Sequence, residues 1–263
     1  MLTVEIAGYI AAVLIGVSLG LLGSGGSILS LPALIFFFGL EPILATTYSL
    51  FIVGVPAIVG SVKQMFAGNI VWKKLFLFGI PSSLGVVVAR SYVLPSIPEN
   101  MLFASLSIKR GDLLVFLFSL LMLAAAMLLL RNNKGARTQR TSARILLVLG
   151  FLIGFTAGFL GAGGGFLIVP ALLFFGGLTF KEATAMSLTL VGVQCLVGFI
   201  ADLSQMLIPD LQLLITFTTL TLVGMLIGLR FQSRADVFFL KKILALIILV
   251  IGLVLLLNLF FSF

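Results

Sequence analysis

Apolar runs at roughly 4–22, 27–39, 43–62, 72–92 and 112–130 alternate with short polar gaps; after a polar stretch at 131–144 the runs resume at roughly 145–160, 165–178, 183–200, 211–229 and 243–261. The pattern is five runs, a linker, and five runs. A helix needs about 20 apolar residues to cross a hydrocarbon core of about 30 Å, and most of these runs are close to that length. In lipid the backbone must satisfy its own hydrogen bonds, which leaves helices or a closed barrel. The short alternating strands of a barrel are absent. The pattern therefore predicts an all-α, polytopic membrane protein. The second run of each half breaks the rule: thirteen residues at 27–39 or 165–177 reach only about 20 Å as a helix, and each follows a cluster of glycines.

The two halves are copies. GLLGSGGSILSLPALIFFFG (20–39) aligns without gaps on GFLGAGGGFLIVPALLFFGG (158–177), matching Gly20 to Gly158, Gly23 to Gly161, Gly25 to Gly163, Gly26 to Gly164 and Pro32 to Pro170. The same offset carries Ala45, Thr46 and Ser49 onto Ala183, Thr184 and Ser187, Gly54 onto Gly192, and Gly60 onto Gly198. The expected organisation is a first repeat over 1–130, a basic linker over 131–144 and a second repeat over 145–263.

Charge sets the relative orientation of the copies. The chain is 61% hydrophobic and 9% charged, against about 25% charged in soluble domains, and its mean hydropathy is +1.33. Its net charge of +8 sits in the gaps, where the positive-inside rule explains it without nucleic acid. The linker carries Arg131, Lys134, Arg137, Arg140 and Arg144 and no acid, and so is expected in the cytoplasm. Counting outward, 201–210 falls outside with Asp202 and Asp210, 230–242 falls inside with four bases, and 63–74 falls inside with Lys63, Lys73 and Lys74. Both termini then lie outside an inner membrane. The first half starts outside and the second inside, so the repeats are inverted. The gap 90–112 fits least well, holding Arg90, Lys109 and Arg110 against Glu99 and Asp112. The N-terminus has no basic region ahead of its apolar run, so that run is expected to remain as a helix rather than a signal peptide.

Short, Gly/Pro-interrupted segments at matching places in inverted repeats mark the substrate site of many secondary transporters. The first turn of a helix exposes unpaired N–H groups and a partial positive charge, which suit an anion. Glycines let the anion approach those amides. The expected binding residues are Gly23, Ser24, Gly25, Gly26 and Ser27 in the first break, and Gly161, Gly163, Gly164 and Gly165 in the second. Hydroxyls and an amide come from the following helices: Thr46 and Ser49, and Thr184, Ser187 and Gln194 on one face. Pro56 stands where Gln194 has its counterpart. The competing reading is packing. Gly16/Gly20 and Gly154/Gly158 are GxxxG pairs, Gly85 and Ala89 are expected to pair with Gly224 and Gly228, and the Ser/Thr hydroxyls can bond their own helix carbonyls. Cys195 reads as a packing residue, and Lys181 and Glu182 as the interfacial start of a helix. The last run of each half faces lipid or a partner subunit, as in a homodimer.

Histidine is absent, which excludes a Ser-His or Cys-His dyad and removes the commonest metal ligand. A lone cysteine excludes an intrachain disulfide. There is no GxxxxGK[ST] loop. No enzyme activity, metal or other cofactor is expected; the partners expected are a small anion and the bilayer. An intramembrane enzyme, a non-transporting assembly factor and a carrier for another small ion are the alternatives. Export of an anion is driven by a negative-inside potential, whereas uptake needs a coupled ion. The acids that could titrate, Glu5, Glu41, Asp202 and Asp210, all read as loop or interface residues.

The block GxxGxGGxxxxxPxLxx, present twice with A-T-x-x-S after each copy, resembles the TauE/SafE family of sulfite exporters and sulfonate permeases. The resemblance covers both halves. It implies a bacterial or archaeal inner-membrane carrier for sulfur-containing anions such as sulfite or organosulfonates. The second block matches more fully. Ser24 and Ser27 stand where it has Ala162 and Gly165, so the two half-sites are not equivalent.

Overall fold

The structure, a computed structural model, describes residues 2–23, 25–103, 106–130, 142–203, 210–232 and 237–261. Most of the linker, 131–141, and Ser24 lie outside them. In chain order the elements are α1 (Leu2–Leu22), a 3-10 turn (Gly25–Leu29), α2 (Ser30–Phe38), α3 (Pro42–Phe66), α4 (Trp72–Val87), a π-helical turn (Val88–Val93), α5 (Leu94–Ser96), β1 (Asn100–Phe103), β2 (Leu106–Lys109) and α6 (Arg110–Leu130). The second half holds α7 (Ala143–Leu160), α8 (Gly165–Phe174), α9 (Phe180–Leu203), α10 (Leu211–Phe231) and α11 (Val237–Phe261). Among the described residues, eight spans are long and apolar enough to cross a membrane: α1, α3, α4 through α5, α6, α7, α9, α10 and α11. Among the described residues, the regular structure is helical apart from two strands, paired so that Asn100 faces Lys109. Ile97, extended ahead of Pro98, ends the preceding helix there.

Packing follows the duplication. α3 and α9 form the centre, with the largest buried shares of any span (67% and 78%). They run antiparallel: a Cβ added at Gly54 would meet Cys195, one at Gly192 would meet Ile58, and one at Gly198 would meet Leu50. α1 packs parallel to α10 and α4 parallel to α7, while α6 packs on α11. Exchanging the halves sends the α1–α10 contact to α7–α4 and returns α3–α9 and α6–α11 to themselves. Antiparallel duplicate helices in such a pattern are consistent with two inverted repeats. α11 is the least buried span.

Small residues make the parallel contacts. A Cβ at Gly16 would fall 2.0 Å from the Thr221 carbonyl oxygen, and one at Gly154 would fall 2.0 Å from that of Ser82. Backbones this close admit no side chain, which is the packing role expected of the GxxxG pairs. The further expected stripe is corrected. Gly85 lies on Phe151 of α7, whereas Gly224 and Gly228 lie on Val13 and Val17 of α1, because each belongs to a different parallel pair.

The short segments double back. Gly26 sits against Ile15 and Ser18, and Gly8 against Phe37 and Phe38, so the 3-10 turn and α2 return along α1. Tyr9 and Phe38 rings meet at 5.4 Å. α8 likewise begins beside Ile153 and Ala157 of α7.

Candidate functional site

The two breaks meet at the centre. A Cβ on Gly163 would lie 3.6 Å from the Ser27 Cβ and 2.9 Å from the Cys195 sulfur. Ser27 and residues 161–165 are buried. Gly23 and Gly26 are buried too, and Gly25 lies in the 3-10 turn. Each half's third-run hydroxyls touch the break of one half or the other. Ser49 shares a 2.5 Å hydrogen bond with Ser30, which donates to the Ser27 carbonyl. Ser187 donates to the Gly165 carbonyl at 3.3 Å. Thr46 stands against Gly161, and Thr184 against Gly23. Thr184 donates to its own helix at Phe180 and Lys181. Gln194 donates to Ser82 on α4, and its Oε1 has no hydrogen-bond partner among the described residues.

The residues that sequence reasoning missed are Arg90 and Asp202. Neither is a loop residue. Arg90 sits in the π-helical turn, 1% exposed, and Asp202 closes α9 at 7% exposed. Arg90 Nη1 donates to Asp202 Oδ2 at 2.6 Å and to Thr46 Oγ1 at 3.2 Å, and Nε donates to the Gly158 carbonyl at 2.5 Å. Thr47 donates to the same Asp202 oxygen at 2.6 Å. Arg90 Nη2 is buried and has no hydrogen-bond partner among the described residues. It faces the second break: a Cβ on Gly161 would fall 2.7 Å from Nη2 and 2.4 Å from the Thr46 Cβ. Gly161 also has φ +68°, a conformation glycine alone adopts readily. An ionisable pair inside a span is costly, and marks a functional site by default. π-turns are themselves frequent at such sites. The signal was present in the sequence, since VVVARSYVLP places a charge within an apolar stretch. Moving Arg90 into the fold also removes one base from the gap whose charge fitted the orientation least well.

The half-sites differ. Gly85 and Gly224 occupy matching contacts, one residue out of the general offset, so Arg90 is matched by Leu229 and Asp202 by Gln64. Near the first break Gln64 donates to Gln232, Asn69 donates to Gln64, Gln232 donates to the Leu21 carbonyl, and the Lys63 ammonium donates to the Leu229 carbonyl at 3.4 Å. Near the second break lies a cavity of about 150 Å³ lined by Thr47, Arg90, Arg110 and Asp202, with Ile43 and Leu94 as apolar walls. At about 30 Å³ per water, it has room for an oxyanion of about five heavy atoms. It shares Ile43 and Arg110 with an outer cavity of about 450 Å³ that includes Glu41, Glu99, Lys109 and Asp112. Arg110 is pinned at the shared wall by the Leu94 and Ile97 carbonyls. Of the other acids, Asp210 caps α10 by accepting from the Leu213 N–H, and Glu182 accepts from the Thr179 N–H and hydroxyl at the start of α9. Among the described residues no cluster of metal-ligating side chains occurs.

Two relatives from Xylella fastidiosa, strains Temecula1 and 9a5c, are each named "Probable membrane transporter protein" and are each 33% identical to the chain over 186 residues. The match covers 68% of this chain and 66% of each relative, so it spans just under two thirds of their length. No solved structure matches. The family model for the sulfite exporter TauE/SafE proteins matches residues 9–255, nearly the whole of this multi-pass chain, and the chain belongs to that family.

Proposed function

We propose that the protein is a secondary carrier that moves small sulfur-containing anions, such as sulfite or organosulfonates, across the inner membrane. The anion is held where the second glycine break meets Arg90. The observation that carries this reading is the buried Arg90 guanidinium, with Nη2 unpartnered against Gly161. A guanidinium presents a planar fork of donors suited to oxyanions. The short helices following both breaks add amides and partial positive charge. The family and the names of the relatives favour transport over catalysis, and the chain lacks the histidine of the commonest nucleophile-base pairs. In this reading the basic linker is cytoplasmic and both termini are outside, so the Arg90 cavity, which opens beside the start of α3, faces outward.

The test is ligand-dependent thermal stability of the detergent-purified protein. Sulfite, sulfate, thiosulfate, sulfoacetate, taurine, nitrate and chloride are compared at matched ionic strength. A ligand at a hundredfold excess over Kd stabilises by about 2.7 kcal/mol. A sulfur oxyanion is expected to raise the melting temperature of the native protein and to have no effect on the Arg90→Gln/Asp202→Asn double variant, which keeps an amide pair in place of the ion pair. If no anion stabilises the native protein, or if the double variant responds equally, the reading is wrong.

A further inference from the structure

We infer that Asp202 is the exchangeable counter-ion of Arg90, and that the anion binds together with one proton, which Asp202 receives. This rests on the anion-carrier reading. The buried pair is neutral as it stands, with Arg90 cationic and Asp202 anionic at 2.6 Å. An anion entering the cavity beside Arg90 makes the group net negative inside the fold, where an uncompensated charge is costly. Asp202 Oδ2 is held by two donors, Arg90 Nη1 and the Thr47 hydroxyl. When the guanidinium turns to a monovalent substrate anion, the carboxylate loses its cation, and a proton on Oδ2 restores neutrality. The proton comes from solvent through the cavity that Asp202 lines, and it leaves by the same path when the anion departs. No covalent bond to the anion forms or breaks.

The charged groups facing Asp202 are Arg90 from the π-helical turn and Arg110 from the start of α6. Arg110 stays tied to two carbonyls between the two cavities, where it attracts an incoming anion without following it inward. Glu41, Glu99, Lys109 and Asp112 belong to the outer cavity. The first half-site has Leu229 and Gln64 in the matching places, so the exchange is confined to one side of the molecule.

The experiment measures proton uptake on binding, in weakly buffered detergent solution near neutral pH with an indicator dye. The probes are methanesulfonate and ethanesulfonate, monoanions that do not titrate there. The native protein is expected to take up one proton per anion bound, and its affinity to fall about tenfold per pH unit where uptake is complete. Asp202→Asn is expected to bind without uptake and without pH dependence. Binding by the native protein with no uptake overturns the inference and leaves the carrier reading intact. Binding of none of the probes overturns both. Uptake that persists in Asp202→Asn overturns the assignment to Asp202. Should that variant fail to fold, uptake retained in the triple variant Glu41→Gln/Glu99→Gln/Asp112→Asn supports Asp202, and uptake lost there refutes it.

Discussion

At the scale of the residue, the Arg90–Asp202 pair separates stability from function. Removing one partner of a buried ion pair strands the other charge and costs about 3–5 kcal/mol, whereas replacing both with apolar side chains of similar volume is often neutral. Asp202→Ala is therefore expected to lower chemical-denaturation stability by that amount, and Arg90→Met/Asp202→Leu to fold with near-native stability. The double variant is expected to transport no anion in reconstituted vesicles. Full transport by it would reduce the pair to a packing device. Thr47→Val removes a hydrogen bond to a charged oxygen, and a loss of about 1.5–3 kcal/mol is expected on the same denaturation curve. The sequence displayed both charges, but it could not show that residues 112 positions apart share a hydrogen bond.

At the scale of the element, the broken segments and the glycine contacts divide the two roles that sequence reasoning left open. Gly16 and Gly154 are packing positions. Gly161 both takes a left-handed conformation and faces a guanidinium. Gly154→Leu is expected to push α4 off α7 and cost at least the 1–3 kcal/mol typical of overpacking, since the atom it meets is the Ser82 carbonyl rather than a movable side-chain tip. Gly39→Ala is its contrast: nothing lies within 4 Å of a Cβ there, so only the backbone strain of φ +62° opposes it, and a smaller loss is expected in the same assay. The hairpin strands were not legible from hydropathy, because two four-residue strands between two spans leave no periodicity long enough to read.

At the scale of the whole molecule, the alternation of spans makes a prediction about sidedness. α2 returns along α1, so α3 starts on the side where α1 starts. Single cysteines at Ala67 and Ser142 are expected to react with an impermeant maleimide from one face of sealed vesicles, and a cysteine at Glu41 from the opposite face. The native Cys195 is buried and gives no background. Labelling of Ala67→Cys and Glu41→Cys from the same face would mean that α3 does not cross.

Hydropathy, the 138-residue offset and the placement of basic gaps were enough, without coordinates, to predict a helical membrane protein built as a duplicated chain with two glycine breaks. These are local or periodic properties, and each follows from transfer free energies and backbone sterics acting over a few turns. Only the tertiary structure decided which side chains meet at the breaks. Thr46 came to face Gly161, and Ser49 to hold Ser30, because antiparallel packing of α3 on α9 sets their height. The π-helical turn aimed Arg90 across to Asp202 at the end of α9, turning two apparent loop charges into one buried pair. A buried charge finds its partner through three-dimensional proximity, and no local pattern in the chain encodes that distance.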